Sequence, residues 1–437
     1  QVTLTNDDTI NGTYGDAEFT DGVATVEITE DEVKVITGLP NGTTYEVAEV
    51  FDDEDEAAKF EVSYTGEIGT IDEDETQKAE VLNERKTTEL SISKEVVSTV
   101  QADLDAIYGF IVTLTNEGEA LNGTYGGYDI NDGDIKIWLK DGETATITGI
   151  PVGTDYTIEE EIDDTVFTVT IDNVEQTSDS GDVEADGSTA IAVVNTRKTG
   201  ALYIEKTVES PVDEDNTKDY TFTITLDADV NGTFTATGAE ISVTFTNGVA
   251  EVKLAADENI TIQGLPANVE YTVVEDAEAY MVTNSTGDTG TIPAGDQAEV
   301  SFTNTRDLGE LEITKIVEST NDDDHSRTYH ITVTMDEDIE DGDYGDLTFT
   351  DNVAEYDISD NETITATDLP AGITYTVEEE TLDEFTVIYG GETGVISKEI
   401  TAEAKITNIK NEGGLALSKR VTSAVVADHE ATDRPRS

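Results

Sequence analysis

Residues two apart on a β-strand share a face. Read that way, several stretches of this chain put a polar, reactive side chain where parity otherwise places apolar ones. Lys94 follows Leu90 and Ile92, Lys206 follows Leu202 and Ile204, and Lys315 follows Leu311 and Ile313. Glu160 follows Tyr156 and Ile158, a set repeated as Tyr271, Val273, Glu275, as Tyr375, Val377, Glu379 and as Tyr45, Val47, Glu49. Asn195 follows Ile191 and Val193, matched by Val300, Phe302, Asn304, by Ala404, Ile406, Asn408 and by Ala79, Val81, Asn83. A lone buried ammonium or carboxylate costs several kcal/mol unless it is paired, so one such trio could be a structural ion pair. Recurrence in every complete repeat offers a second use. Desolvation favours the neutral, nucleophilic amine of a buried Lys and the neutral acid of a buried Glu. The amine can then attack the Asn side-chain carbonyl while the Glu polarises that carbonyl and passes a proton to departing ammonia. The product is an amide cross-link between the strands that carry Lys and Asn.

The elements that must position these residues repeat in order. The phrases GLPNGTTYEVAE at 38–49, GIPVGTDYTIEE at 149–160, GLPANVEYTVVE at 264–275 and DLPAGITYTVEE at 368–379 are one element four times. A closing element recurs as LNER at 82–85, VNTR at 194–197, FTNTR at 302–306 and ITNIK at 406–410. An opening element recurs as LSISKEV at 90–96, LYIEKTV at 202–208, LEITKIV at 311–317 and LALSKRV at 415–421. Within each repeat, apolar and polar residues alternate and Val, Ile, Thr, Tyr and Phe are enriched, the pattern of strands. Asn-Gly and Asp-Gly turns punctuate them. Self-similarity at this period overrides the division by length. The reading is all-β: a tandem array of immunoglobulin-like antiparallel β-sandwich modules at 87–198, 199–307 and 308–410. They are preceded by an incomplete module at 1–86 that lacks its opening strand and followed by a donor-strand tail at 411–437.

Charge and composition remove whole classes of function. The 437 residues carry 23 Lys plus Arg against 98 Asp plus Glu, a net charge of -75, which repels nucleic-acid and anionic-lipid phosphates. With no Cys there are no disulfides, thiol nucleophiles or thiolate metal sites. His325, His330 and His429 are the only histidines, and the acidic clusters lack the spacing of a calcium-binding helix-loop-helix, so no metal or cofactor is expected. No phosphate-binding Gly loop or His-based triad points to a turnover enzyme. No apolar run reaches the roughly 20 residues of a membrane span, so no membrane insertion is expected. The acidic surface reads as a solvated coat, then as adaptation to high salt, then as a cation-binding surface, and Trp138 and the Tyr residues are expected to pack the modules.

The L-x-I-x-K, GLPxGTxYTVxE and V-x-F-x-N-T motifs together resemble the Cna B-type and pilin isopeptide-linkage domains of Gram-positive surface proteins. That resemblance implies β-sandwiches with self-made Lys-to-Asn bonds catalysed by a buried acid, used as adhesin stalks or pilus shafts. Residue by residue it implies Lys94 with Asn195 and Glu160, Lys206 with Asn304 and Glu275, and Lys315 with Asn408 and Glu379. It also implies an extracellular, cell-surface filament. A cross-link closing a loop of about 100 residues adds up to about 4.7 kcal/mol in the chain-entropy model.

The two ends are complementary. The first module has an acceptor, Asn83, and an acid, Glu49, but no lysine strand, while the tail has Lys419 and no sandwich. Lys and Asn stand 101, 98 and 93 residues apart in the complete repeats; 18 residues follow Lys419 and 83 lead to Asn83, together 101. Two explanations stay open. In one, the tail adds to the first module of the next molecule as a strand, giving a head-to-tail homopolymer linked from Lys419 to Asn83 under Glu49. In the other, the chain is a slice of a longer repeat protein, the stalk of an adhesin with a host or surface ligand, and Asn83 pairs with an upstream Lys. Arg434, Pro435 and Arg436 read as a processing site, and no sortase-type signal precedes Ser437.

Overall fold

The computed structural model describes residues 1–5, 10–420 and 422–425. Alternation in sequence becomes alternation in burial. Strand Thr154–Glu161 buries every second residue, Thr154, Tyr156, Ile158 and Glu160. Strand Thr87–Val97 buries Thr88, Leu90, Ile92, Lys94 and Val96. The parity that singled out the reactive residues is thus the parity of the packed face.

Each complete module is two sheets closed over a core. In module two one sheet runs Thr144–Pro151, Thr87–Val97, Ala190–Arg197, Phe167–Ile171, Val174–Glu175. The other runs Glu119–Ala120, Tyr108–Asn116, Thr154–Glu161, Ser178–Asp182, with Asp134–Leu139 also on Tyr108–Asn116. Modules three and four repeat this plan around opening strands Thr199–Glu209 and Leu308–Glu318 and closing strands Gln297–Arg306 and Ala402–Lys410. Neighbouring strands pair antiparallel throughout, except that opening and closing strands lie side by side and parallel in every complete module. At the start of the opening strand Gly200 and Gly309 sit against carbonyl oxygens of Pro293 and Ser397, with which an added Cβ would collide. Short helices, Gln101–Asp105, Asp213–Thr217 and Asp322–Ser326, follow each opening strand. The alternating pattern gave no sign of them. Trp138 is 58% exposed and lies over Gly109, so it does not pack the core as expected.

Module one shows what the opening strand does by lacking it. Its closing strand Glu80–Arg85 pairs only with Phe60–Thr65. Residues 33–40, equivalent to Thr144–Pro151, form no strand because the partner they would pair with is not there. Among the described residues its core holds six buried side chains, led by Leu4, Phe19 and Tyr45, against 22 in module two. Val33, Val35 and Leu82 are left 79%, 44% and 58% exposed.

Candidate functional site

The parallel register fixes the placement of the candidate nucleophile and electrophile. Lys94 stands beside Val193 and Asn195 beside Val96, so Lys and Asn are diagonal neighbours two positions apart on one face. The same offset places Lys206 beside Phe302 with Asn304 beside Val208, and Lys315 beside Ile406 with Asn408 beside Val317. Diagonal neighbours on a sheet are within reach of long side chains. The acid arrives from the facing sheet, on Thr154–Glu161, Glu270–Glu275 and Thr374–Glu379. All nine side chains are buried, and the three Asn are fully so.

Each carboxyl touches both partners. Lys206 Nζ donates to Glu275 Oε2 at 3.1 Å, and Asn304 Nδ2 to its Oε1 at 2.5 Å. Lys315 Nζ donates to Glu379 Oε2 and Asn408 Nδ2 to Oε1, both at 2.5 Å. Asn195 Nδ2 donates to Glu160 Oε1 at 2.8 Å. Lys94 Nζ comes within 3.0 Å of the same oxygen but outside hydrogen-bonding angles, so it is an ion-pair neighbour without a hydrogen bond. The carboxyl thus faces the amide nitrogen, the leaving group of the expected reaction, and not the carbonyl oxygen it was expected to polarise. The Oδ1 atoms of Asn195, Asn304 and Asn408 are buried with no hydrogen-bond partner. A buried orphan acceptor costs about 1–3 kcal/mol, and one recurs in all three sites.

Burial and the neighbouring acid set the charge of the lysines. Burial pushes the Lys94 ammonium down to about 8 against the opposing pull of Glu160. Burial likewise lowers Lys206 and Lys315, opposed by Glu275 and Glu379. Each Nζ also lies over a tyrosine ring, Tyr108 at 4.9 Å, Tyr220 at 4.6 Å and Tyr329 at 4.4 Å. These rings wall off water and offset part of the desolvation through their negative face. Burial raises their own hydroxyls, Tyr108 and Tyr329 to about 12, and Tyr220 in the same direction. Each hydroxyl donates to a helix carbonyl, of Asp103, Asp215 or Asp324. The motif reading missed this fourth member. Its signal was a constant spacing, since each tyrosine stands 14 residues after its lysine.

In module one Asn83 Nδ2 still reaches Glu49 Oε1, at 3.5 Å, but Asn83 is exposed and Glu49 only half-buried. Lys419 is exposed and lies in a segment, 411–420, with no strand structure, so the structure does not bring it to Asn83. Val421 and the Arg434, Pro435, Arg436 segment lie outside the described residues. No helix is long and apolar enough to cross a membrane, among the described residues.

A family model described as Domain of unknown function (DUF7601) matches residues 1–85, 88–197, 200–306 and 309–410. A stretch of 79 residues is 38% identical to the pilus tip adhesin Cpa of Streptococcus pyogenes, covering 17% of this chain and 12% of that protein. The chain thus spans about an eighth of the length of this relative. The likeness to Gram-positive pilus proteins carried by the motifs is found by this match too. Among solved structures, the Streptococcus pyogenes major pilin T-13 aligns at 19% identity and a TM-score of 0.33, over 50% of this chain and 97% of that one. The Bacillus anthracis TIE protein aligns at 15% identity and a TM-score of 0.37, over 93% and 67%.

Proposed function

We propose, from the premise that the chain belongs to the family described as Domain of unknown function (DUF7601), that it is a structural subunit of an extracellular pilus-like filament. In this reading each complete module makes one Lys-to-Asn bond, and copies join head to tail by strand addition. The step is a transamidation in which neutral Lys Nζ attacks Asn Cγ, a C–N bond forms, the Cγ–Nδ2 bond breaks and ammonia leaves. Glu exchanges two protons, one gained from Nζ and one given to Nδ2, and ends in its starting state. Each site acts once, so the chain is not a turnover enzyme.

One observation carries the assembly. The side chains of the opening motif are fully buried at Leu90, Ile92, Leu202, Ile204, Leu311 and Ile313, yet Leu415 and Leu417 of the fourth copy are 83% and 86% exposed. Module one meanwhile leaves a closing strand edge, apolar side chains and the Asn83–Glu49 pair uncovered. An open strand edge beside an exposed apolar strand motif is the arrangement that strand addition consumes. Residues 415–421 of one copy fill the groove of the next, Lys419 reaches Asn83, and the contact repeats without closing. Position 14 after Lys419 is Asp433, so this site lacks the tyrosine of the other three.

The test is boiled, denaturing electrophoresis of the assembled material with peptide mapping. A ladder of subunit multiples containing a Lys419-to-Asn83 branched peptide, lost in Asn83→Ala, is the expected result. A single band short of three ammonias would leave the internal bonds and remove the covalent filament. The match to a pilus adhesin supports a second reading, an adhesin stalk in which an upstream lysine strand of the same chain fills module one.

A further inference from the structure

The groove of module one accounts for residues 415–421, but the tail continues, and the complete junctions show what such a continuation does. Past the opening strands of modules two and three the chain leaves its own module and inserts one valine into the next; the equivalent position after module four's opening strand is Asn321. Val100 of module two is buried in the core of module three and forms a backbone bridge with Val230. Its neighbours complete the contact, Gln101 N donating to Asp229 O at 3.1 Å and Asn231 N to Thr99 O at 3.5 Å. Val212 of module three does the same in module four, bridging Ile339, with Asp213 N donating to Asp338 O at 3.1 Å and Glu340 N to Pro211 O at 2.7 Å. In both, a serine two residues earlier shapes the approach, Val100 N donating to Ser98 Oγ at 3.0 Å and Val212 N to Ser210 Oγ at 3.1 Å.

The junction between modules one and two has only half of this contact. The linker half is present in all three junctions. Arg85, Arg197 and Arg306 donate to the carbonyls of Val152, Ala267 and Ala371, whose own N–H groups donate to Lys86, Lys198 and Asp307. The valine half is missing at the first. Leu121 occupies the place of Val230, preceding an Asn-Gly turn and accepting at its carbonyl from Gly133 N as Val230 accepts from Gly248 N. It is only partly buried, and among the described residues no bridge forms on it. Arg197 and Arg306 pair with Asp103 and Asp215 of the valine-bearing segments, whereas Arg85 pairs with Glu117 of module two.

We propose that Val425 of a second copy fills this place, bridging Leu121 and locking module two of the acceptor as well as module one. Val425 stands six residues after Lys419, as Val100 follows Lys94 and Val212 follows Lys206. It is 57% exposed. Its N–H already donates to Ser423 Oγ at 3.1 Å, the turn made at Ser98 and Ser210 and also at Ser319 before Asn321. The inference rests on the strand-addition reading and extends it from one acceptor module to two.

The absence of Cys makes the test direct. Bridged residues have Cα atoms about 4.5–5.5 Å apart, inside the range of about 4.4–6.8 Å that a disulfide spans. The full chain carrying Val425→Cys and Leu121→Cys is assembled, oxidised and mapped. The expected result is a reductant-resistant ladder that also yields a disulfide peptide joining positions 121 and 425 of different copies. The ladder without that peptide overturns the two-module dock and leaves the filament standing. The peptide without a reductant-resistant ladder keeps the dock and removes the Lys419 bond. No multimer of either kind overturns both.

Discussion

Glu160→Gln isolates the proton carrier of module two. The amide keeps the shape of the carboxyl and can still accept from Asn195, which donates to Oε1 at 2.8 Å, but it cannot ferry a proton from Lys94 to Nδ2. The variant chain should therefore retain one ammonia that the wild type has lost. The energetic consequence follows from the loop between Lys94 and Asn195, 101 residues long, whose closure adds about 4.7 kcal/mol in the chain-entropy model. The module spans 88–197, and at about 2.1 cal/mol/K per residue its unfolding entropy is roughly 0.23 kcal/mol/K. Dividing one by the other places the melting temperature of module two about 20 °C lower. Modules three and four keep their own bonds and serve as internal references. Intact mass reads the chemistry and calorimetry the stability. A variant still short of three ammonias would remove Glu160 as the proton carrier. Loss of the bond with a shift of only a few degrees would refute the entropic account of its worth.

Three further outcomes are expected. Holding the Lys94 ammonium near pKa 8 raises the neutral amine at pH 7 roughly 300-fold over an unperturbed lysine. On refolding by dilution, the module-two bond should thus form about tenfold faster per pH unit up to about 8 and then level off, and a flat profile would sink this assignment of the nucleophile. In Asn195→Ala, Lys94 stays unlinked with a folded pKa below its unfolded one, so the unfolded chain binds more protons between them. Module two then gains stability as pH rises from about 8 to about 10.4, by roughly 3 kcal/mol, the deficit being complete below that window. Adding Lys94→Met should abolish this slope. Arg306→Ala removes the donor to Ala371 O at 3.0 Å and the partner of Asp215 at 2.9 Å, so the Ala371 amide should exchange faster while core amides of modules three and four keep their protection. Unchanged exchange there would show the Arg306 contacts to Ala371 and Asp215 to be idle.

The Lys–Glu–Asn trio was legible because strand parity and burial are the same information. Once Leu90 and Ile92 are known to face inward, Lys94 must too, whatever the neighbouring strand does. Strand direction is not written in parity, and the parallel pairing of Thr87–Val97 with Ala190–Arg197 left no trace in the alternation. Tyr108 escaped notice because a buried aromatic at a strand start looks like ordinary core, and only its fixed distance from Lys94 sets it apart. Arg197 and Arg306 are the last residues of the closing elements VNTR and FTNTR. Their role depends on a carbonyl in the next module, a contact no local pattern encodes.

The parallel pairing of opening and closing strands decides how a module carries tension. In the proposed filament, pull would enter module two at Thr87 and leave at Arg197, and Asn195 lies beside Val96, just past Lys94 toward the exit. With Lys94 joined to Asn195, the pull runs along one strand, crosses a single amide and is out. Everything between those residues hangs beside the taut path as cladding. Extensibility is then set by a thread a few residues long, and the cladding can change without weakening it. The modules already differ there, in the added strand Glu119–Ala120 of module two and in the Gly232–Gly238 and Ser242–Phe245 strands that widen a sheet of module three. A rope of this kind can diversify its surface while its tensile strength stays fixed.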